Sequence, residues 1–338
     1  MTVRHYQPGD ENQIQELFKK TFGQDRPLQS WKWKFTDNPK SSHPFILLYD
    51  EEDVILGHIS LWVTEAYING KVSKIGLRAD TMVDPDARGK GIYKKLNDAL
   101  LEEAKKANID YLYGFPAPKA KELFLRYTGA HHMTDMPRWL FVQQPLSLLS
   151  AKLKPLAFFK PLDKLYKYFR GPKETEGDYT FKEIHECDEA FDELAAKTKN
   201  QASAMVVRDA AYLNWRYHQH PDYTYQMYGL YKENQLKGYV VTRKEEGKFT
   251  NGFIVDWLTT SANLWAPLLT RAMKSLHDAD LIQTWCLEHS PPVESLKKQG
   301  FFHKDSPMPL VGKEVDERTI GFENPEKWFI TPGDVDSF

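Results

Sequence analysis

The densest chemical signal in the chain is Val83-Asp84-Pro85-Asp86-Ala87-Arg88-Gly89-Lys90-Gly91-Ile92-Tyr93. An apolar strand candidate closes at Val83, a tight loop follows, and an amphipathic helix begins inside the loop. Backbone N–H groups at a helix start have no intrahelical acceptor. Together with the helix dipole they form a site for an anion such as a pyrophosphate. Gly89 and Gly91 remove the Cβ atoms that would hold phosphate oxygens away from the backbone, and Arg88 and Lys90 add positive charge at the mouth. An ATP-type loop, Gly-x-x-x-x-Gly-Lys-Ser/Thr, is absent. Tyr93 and Lys94 stand where a dinucleotide fold would need its third glycine. The plainer alternative is that the two glycines only shape a turn.

Such a loop needs a strand before it and a helix after it, and the pattern supplies both. Strands are expected over 3–6, 45–49, 54–64, 72–83, 111–115 and 139–142, and helices over 11–21, 89–107 and 119–127. In the second helix Ile92, Leu96, Ala99, Leu100 and Ala104 make one apolar stripe. Strand, helix and strand in succession through 72–115 imply a parallel pair joined by a crossover helix. The length of 338 residues is enough for two domains with separate cores. A net charge of −2 gives no reason to expect nucleic acid as partner. Cys187 and Cys286 stand in no ligand spacing and suit a reducing cytoplasm, the expected location. The first residues lack the apolar core of a signal peptide. No apolar run reaches about 18 residues, so no transmembrane segment is expected. Between 146 and 178, leucines and aromatics interleave with lysines. That composition fits a basic amphipathic arm, either a connector broken by Pro155 and Pro161 or, through 150–170, a membrane-surface contact.

The second half repeats the first. Trp33-Lys34-Phe35 followed by Pro39 recurs as Trp215-Arg216-Tyr217 followed by Pro221, at the same internal spacing. Gly57-His58-Ile59 matches Gly238-Tyr239-Val240, Asp80 matches Asp256, and Gly129 matches Gly300, all in the same order. Two copies of one fold are the reading: a domain over 1–145, the arm over 146–178, and a second domain over 179–338. After Asp256 the second copy reads Trp257-Leu258-Thr259-Thr260-Ser261-Ala262-Asn263, without a glycine-rich turn, so only the first copy keeps the loop.

Residues 83–93 resemble motif A of the GNAT superfamily of N-acetyltransferases, Arg/Gln-x-x-Gly-x-Gly/Ala, with Tyr93 in place of the last small residue. The resemblance covers roughly residues 1–145. The second half resembles a degenerate copy, as in tandem-domain acetyltransferases that modify aminoglycosides. It implies an α/β fold of two GNAT-like domains. Each would be a mixed, mainly antiparallel sheet whose central parallel pair splays at a cofactor cleft, with flanking helices. It also implies acetyl-CoA as cosubstrate and no metal. Main-chain groups of Met82 and Val83 would meet the pantetheine arm. The amides of Arg88, Gly89, Lys90, Gly91, Ile92 and Tyr93 would hold the pyrophosphate. Phe115, Pro116 and Ala117 would flank the acetyl end, although the asparagine common in the family there is missing.

Acetyl transfer by direct attack in a ternary complex needs a neutral amine and an oriented thioester. Asp80 is the candidate general base. Its alternative role is a buried structural carboxylate, which the match to Asp256 favours. The family's usual acid, a tyrosine four residues before the glycine that ends the next helix, would fall at Leu125. Tyr127 is the nearest substitute, about 200° around the helix from that position. Trp33, Asp37 and Asn38 are acceptor-site candidates, Trp33 being also a candidate for a core role shared with Trp215. His131-His132 reads as a surface pair and Asp334-Val335-Asp336 as a solvated tail, neither a metal site. Residues 328–331 read as a last edge strand. The leading expectation is an N-acetyltransferase acting on a primary amine of a small molecule, such as an amino sugar or aminoglycoside, and a homodimer is compatible with it. The alternatives are a non-catalytic acyl-CoA-binding module, and an acyl- or aminoacyltransferase acting on a cell-wall or peptide acceptor.

Overall fold

The computed structural model describes residues 2–150, 158, 161–172 and 177–337. Much of the 146–178 arm expected from sequence, including most of the 150–160 stretch, lies outside them. The described part of that arm packs on the protein. Helix α6 (Asp163–Arg170) follows α5 (Pro145–Ser150), and the buried Asp163 carboxylate accepts from the Leu146 and Ser147 amides at the start of α5. Among the described residues no helix is long and apolar enough to cross a membrane.

The first half runs β1 (Thr2–His5), α1 (Glu11–Phe22), α2 (Leu28–Phe35), β2 (Phe45–Glu51), β3 (Val54–Ile68), β4 (Lys71–Val83), α3 (Ile92–Lys106), β5 (Ile109–Gly114), α4 (Pro118–Thr128) and β6 (His131–Val142). The second runs β7 (Thr180–Ile184), α7 (Glu189–Thr198), β8 (Ala204–Val206), α8 (Ala210–Leu213), β9 (Gln226–Lys232), β10 (Gln235–Glu245), β11 (Asn251–Thr259), α9 (Trp265–Ser275), β12 (Leu281–Trp285), α10 (Val293–Gln299) and β13 (Phe302–Glu314). Each half contains one parallel pair, β4 with β5 and β11 with β12, joined by a crossover helix, α3 or α9. The other strand pairings are antiparallel. This is the mixed α/β sheet expected from sequence.

The order along the sheet is β1-β2-β3-β4-β5-β13-β6-β12-β11-β10-β9-β7. The last strand of each half therefore sits in the other half's territory. β13 pairs with β5, β6 pairs with β12, and β6 and β13 pair with one another at the centre. Residues 328–331 form no edge strand; Trp328 makes only an isolated bridge to Ala204. The final strand is β13, deep inside the sheet, where the Ser306–Met308 irregularity and Pro309 had obscured its pattern.

Three apolar clusters hold the layers. α3 covers one face of the first half, with Ile92, Leu96 and Leu100 on Leu47, Leu61 and Leu112. α1 and α2 cover the opposite face, with Ile14, Trp31 and Phe35 on Ile46, Leu48 and Met82. The largest cluster joins the halves, bringing Trp33, Trp62 and Tyr113 together with Trp215, Tyr239 and Trp257. At this seam the repeat becomes visible as symmetry. The Trp33 indole donates to the Trp215 carbonyl and the Trp215 indole to the Trp33 carbonyl, both at 2.9 Å, with the rings stacked.

Candidate active site

β4 and β5 stay paired from Lys74 to Leu77 and then diverge. Opposite Ile59 of β3, two residues of β4, Asp80 and Thr81, take the place of one, so a β-bulge sits where the strands part. Asp80 carries the left-handed backbone of that bulge, with φ 44°, a conformation aspartate tolerates better than most residues. Beyond Leu77 the β5-facing edge of β4, which includes Met82 and Val83, has no strand partner among the described residues. Its free N–H and C=O groups suit the amides of a pantetheine arm.

The loop after β4 is built as the sequence predicts. Asp84 caps the short turn Pro85–Ala87 through the Asp86 amide, and α3 starts at Gly91 with no side chain capping it. Gly89 and Gly91 have φ 84° and 75°, and a Cβ on either would meet no protein atom within 4 Å. The open space in front of these amides, together with exposed Arg88 and Lys90, fits a diphosphate.

Where the strands part, a passage of about 280 Å³ opens, lined by Arg78, Asp80, Thr81, Tyr93, Phe115 and Ala117 among others. It shares Phe22, Asp80 and Asp336 with a second cavity of about 640 Å³ on the α1–α2 side, whose wall includes Arg26, Trp33, Lys34, His220 and Tyr223. The larger cavity has the size of a small-molecule site. Both halves of the chain contribute to it.

Asp80 lies at this junction, and its carboxylate is occupied. Arg26 donates to one oxygen and Lys34 to the other, at 2.9 Å for Lys34. Burial alone would raise its pKa. Lys34 and Arg26 outweigh burial and hold the carboxyl well below the usual range. A carboxylate so stabilised is a weak proton acceptor. The second copy repeats the arrangement with Arg208 and Asp256, fully buried. Arg26 and Arg208 each stand seven residues before the matching tryptophans, Trp33 and Trp215. Behind Asp80, His58 donates from Nδ1 to the Asp80 carbonyl at 2.6 Å, and its Nε2 is buried without a partner. Burial brings its pKa down to about 4, so the ring is neutral near pH 7.

The C-terminal segment is no solvated tail. Asp334 is buried and both its oxygens accept from Arg208 Nη2, at 2.7 and 2.9 Å, while Arg216 donates to the carbonyls of Gly333 and Val335. Gly333 lies against Tyr217 and Asp256, where a Cβ would collide with the tyrosine hydroxyl. The tail therefore fills the second copy's equivalent region. It also carries Asp336 out to the first copy's cavity, where Lys34 binds it at 2.7 Å. The Asp336 side chain remains 29% exposed, against 7% for Asp80. Neither acidic residue belongs to a metal-ligand cluster among the described residues.

The other expected residues divide. Tyr93, Phe115 and Ala117 line the passage, and Trp33 lines the acceptor-side cavity while also serving the seam. Asp37 and Asn38 line neither cavity. Asp37 is exposed beside Thr36, and Asn38 is buried because its amide ties the α2–β2 loop to the Val63 carbonyl. Tyr127 also lies off the passage, with its ring 5.5 Å from that of Tyr93 between α3 and α4. Sequence reasoning missed Arg26, Lys34, Arg78 and Asp336. The first two carried a signal: Lys34 and Arg216 occupy the same place in the repeated triplets, and the Arg26/Arg208 offset extends that repeat.

The sheet opens at a parallel pair, with the helix-start loop on one side and an acidic, aromatic cavity on the other. Residues 2–127 match the sequence model of the acetyltransferase (GNAT) domain. This part of the chain is similar to the GNAT acetyltransferase domain. No curated protein matches the chain in sequence. Among solved structures the fold is similar to a GCN5-related N-acetyltransferase from Anabaena variabilis, with TM-score 0.69 and 13% identity over 93% of this chain and 73% of that one. It is also similar to a conserved protein of Enterococcus faecalis, a probable N-acyltransferase, with TM-score 0.68 and 14% identity over 94% and 74%. A third is Eis1 from Mycobacterium abscessus, with TM-score 0.61 and 12% identity over 94% and 74%. Identities this low establish the shared fold alone.

Proposed function

We propose that the protein transfers an acetyl group from acetyl-CoA to a primary amine of a small molecule, with amino sugars and aminoglycosides as the first acceptors to test. The observation that carries this reading is the passage where the strands part, with the Arg88–Tyr93 loop at one end and Asp336 at the other. The donor lies with its diphosphate on the loop amides and its pantetheine along the unpaired edge of β4. The acceptor amine enters from the α1–α2 side and gives up its proton to Asp336, directly or through water. Attack then follows within one complex, with both reactants held in line by the passage. Asp80, the base expected from sequence, acts through Lys34, which it fixes beside Asp336. The domain division at 145 and 179, with a first copy that binds donor and a second that closes the acceptor side, belongs to this proposal.

Calorimetric titration with acetyl-CoA tests the donor half, using wild type and an Arg88→Ala/Lys90→Ala pair. Binding that weakens about tenfold or more in the variant is expected from the loss of two charges facing phosphate. Acetylation of an amine panel, read by mass spectrometry, tests the acceptor half. Donor binding with no product from any amine would favour the binding-module reading. No donor binding by the wild type would end the proposal.

A further inference from the structure

The departing half of this reaction, the CoA thiol, lacks the residue that would serve it. Leu125 stands at the expected acid position, and Tyr127 packs on Tyr93 away from the passage. One charged side chain does face the donor side of the opening. Arg78 is the first residue of β4 beyond the last β4–β5 pair. Its guanidinium lies 4.1 Å from the Phe124 ring centroid and donates to Asn97 Oδ1 at 2.8 Å and Thr81 Oγ1 at 3.2 Å. None of these partners is a carboxylate, nor is Tyr93, whose hydroxyl also interacts with Arg78. By comparison, Arg26, Lys34, Lys40 and Arg208 each hold a carboxylate. Arg78 has no carboxylate partner among the described residues, and it lines the passage beside Thr81 and Phe115. A desolvated cation that keeps no counter-ion of its own, at the point where the strands open, is arranged for a negative charge that arrives during the reaction.

We propose that Arg78 stabilises the CoA thiolate as it leaves. This rests on the reading that acetyl-CoA occupies the passage. The amine nitrogen attacks the thioester carbonyl carbon and the C–N bond forms. Its proton goes to Asp336, the C–S bond breaks, and the electron pair stays on sulfur opposite the guanidinium. The thiolate takes its proton from water after release. No acid is needed at position 125, because charge pairing replaces proton donation.

The test needs no acceptor. CoA bound to the protein is titrated by its thiolate absorbance in the ultraviolet, alongside free CoA in the same buffer. In the wild type the bound thiol ionises more readily, with a thiolate-to-thiol ratio tenfold or more above that of free CoA at the same pH, as an opposite charge within about 4–6 Å produces. Arg78→Gln, which can keep the bonds to Asn97 and Thr81, returns the ratio to that of free CoA while still binding it. Arg78→Lys retains part of the shift. Bound CoA that titrates like free CoA in the wild type overturns the inference, as does an equal shift in wild type and Arg78→Gln. Should Arg78→Gln not fold, the folded Arg78→Lys protein decides: part of the shift retained supports charge pairing, and its complete loss, like an unshifted wild type, overturns it. Failure of the wild type to bind CoA at all would instead remove the reading beneath it.

Discussion

Replacing Asp80 with asparagine separates the two roles a carboxylate at the head of the passage can have. Its oxygens receive Arg26 and Lys34, whose side chains are each 11% exposed. Asp80→Asn leaves Arg26 without its carboxylate, while Lys34 keeps Asp336. Breaking a buried ion pair from one side costs about 3–5 kcal/mol. Since Lys34 retains a partner, the lower end, about 3 kcal/mol, is the expected loss. At roughly 2–4 °C per kcal/mol for a chain of this class, the melting temperature should fall by about 6–12 °C. Denaturant unfolding and thermal scans at pH 7.5 measure this, and kcat/KM against pH measures the chemistry. The expected result is a large stability loss, with the acidic limb of the pH profile keeping its position in the molecules that remain folded. Asp336→Asn should do the reverse, costing less than about 1 kcal/mol in stability, as for a partly exposed pair, and lowering kcat by about 10²-fold or more. The reasoning fails if Asp80→Asn unfolds like the wild type while its turnover collapses, for then Asp80 is the base and its ion pairs are incidental.

Three further outcomes follow from the same geometry. Gly91→Ala places a Cβ on a backbone with φ 75°, so a stability cost of about 1–2 kcal/mol and weaker acetyl-CoA binding are expected, read by thermal scans and calorimetry; unchanged binding would remove the loop from the donor site. His58 should make stability pH-dependent. Its folded pKa of about 4 lies below the ordinary 6.5, so the contribution is complete above pH 6.5 and is lost as pH falls toward 4. At 1.36 kcal/mol per unit this amounts to about 3 kcal/mol, and a His58→Gln protein whose urea midpoint falls as steeply as wild type across that window would contradict it. Tyr127→Phe should leave kcat within about threefold of wild type, since a hydroxyl beside Tyr93 and off the passage donates to nothing in the reaction; a loss near the 10²-fold scale of a general acid would restore it to that role.

Local chemistry was well written in the sequence. The loop from Asp84 to Gly91 declared itself because its shape depends on backbone conformation, and glycine, proline and aspartate are chosen by conformation. The repeat was legible because Trp33 and Trp215 must match to exchange their indole bonds. What stayed hidden depended on contacts far apart in the chain. Asp336 looks like a tail residue until Arg208 and Arg216, more than a hundred positions earlier, are seen to fasten the residues before it. Arg78 looks like any charged residue in a half-exposed strand until the opening of β4 from β5 shows what it faces. Asn38 misled in the opposite direction, since an unmatched polar residue after a repeated motif suggested a ligand contact where the chain needed a bond to the Val63 carbonyl.

The exchange of β6 and β13 has a consequence for how the protein is made. β5 and β6 are complete once residue 142 has been added, but the strand that lies between them begins at residue 302, a further 160 residues along the chain. At about 5–20 residues per second that is a wait of roughly 8–30 s. Through that interval β5 lacks a partner on one edge and β6 on both, beside the apolar faces of Tyr111, Leu112 and Phe141, the kind of template on which other chains can nucleate. Its wall beside the donor passage also lacks its outer neighbour until synthesis has passed Glu314. The first half thus completes its sheet only after the second has been made, which makes the second copy a late step in the birth of the first.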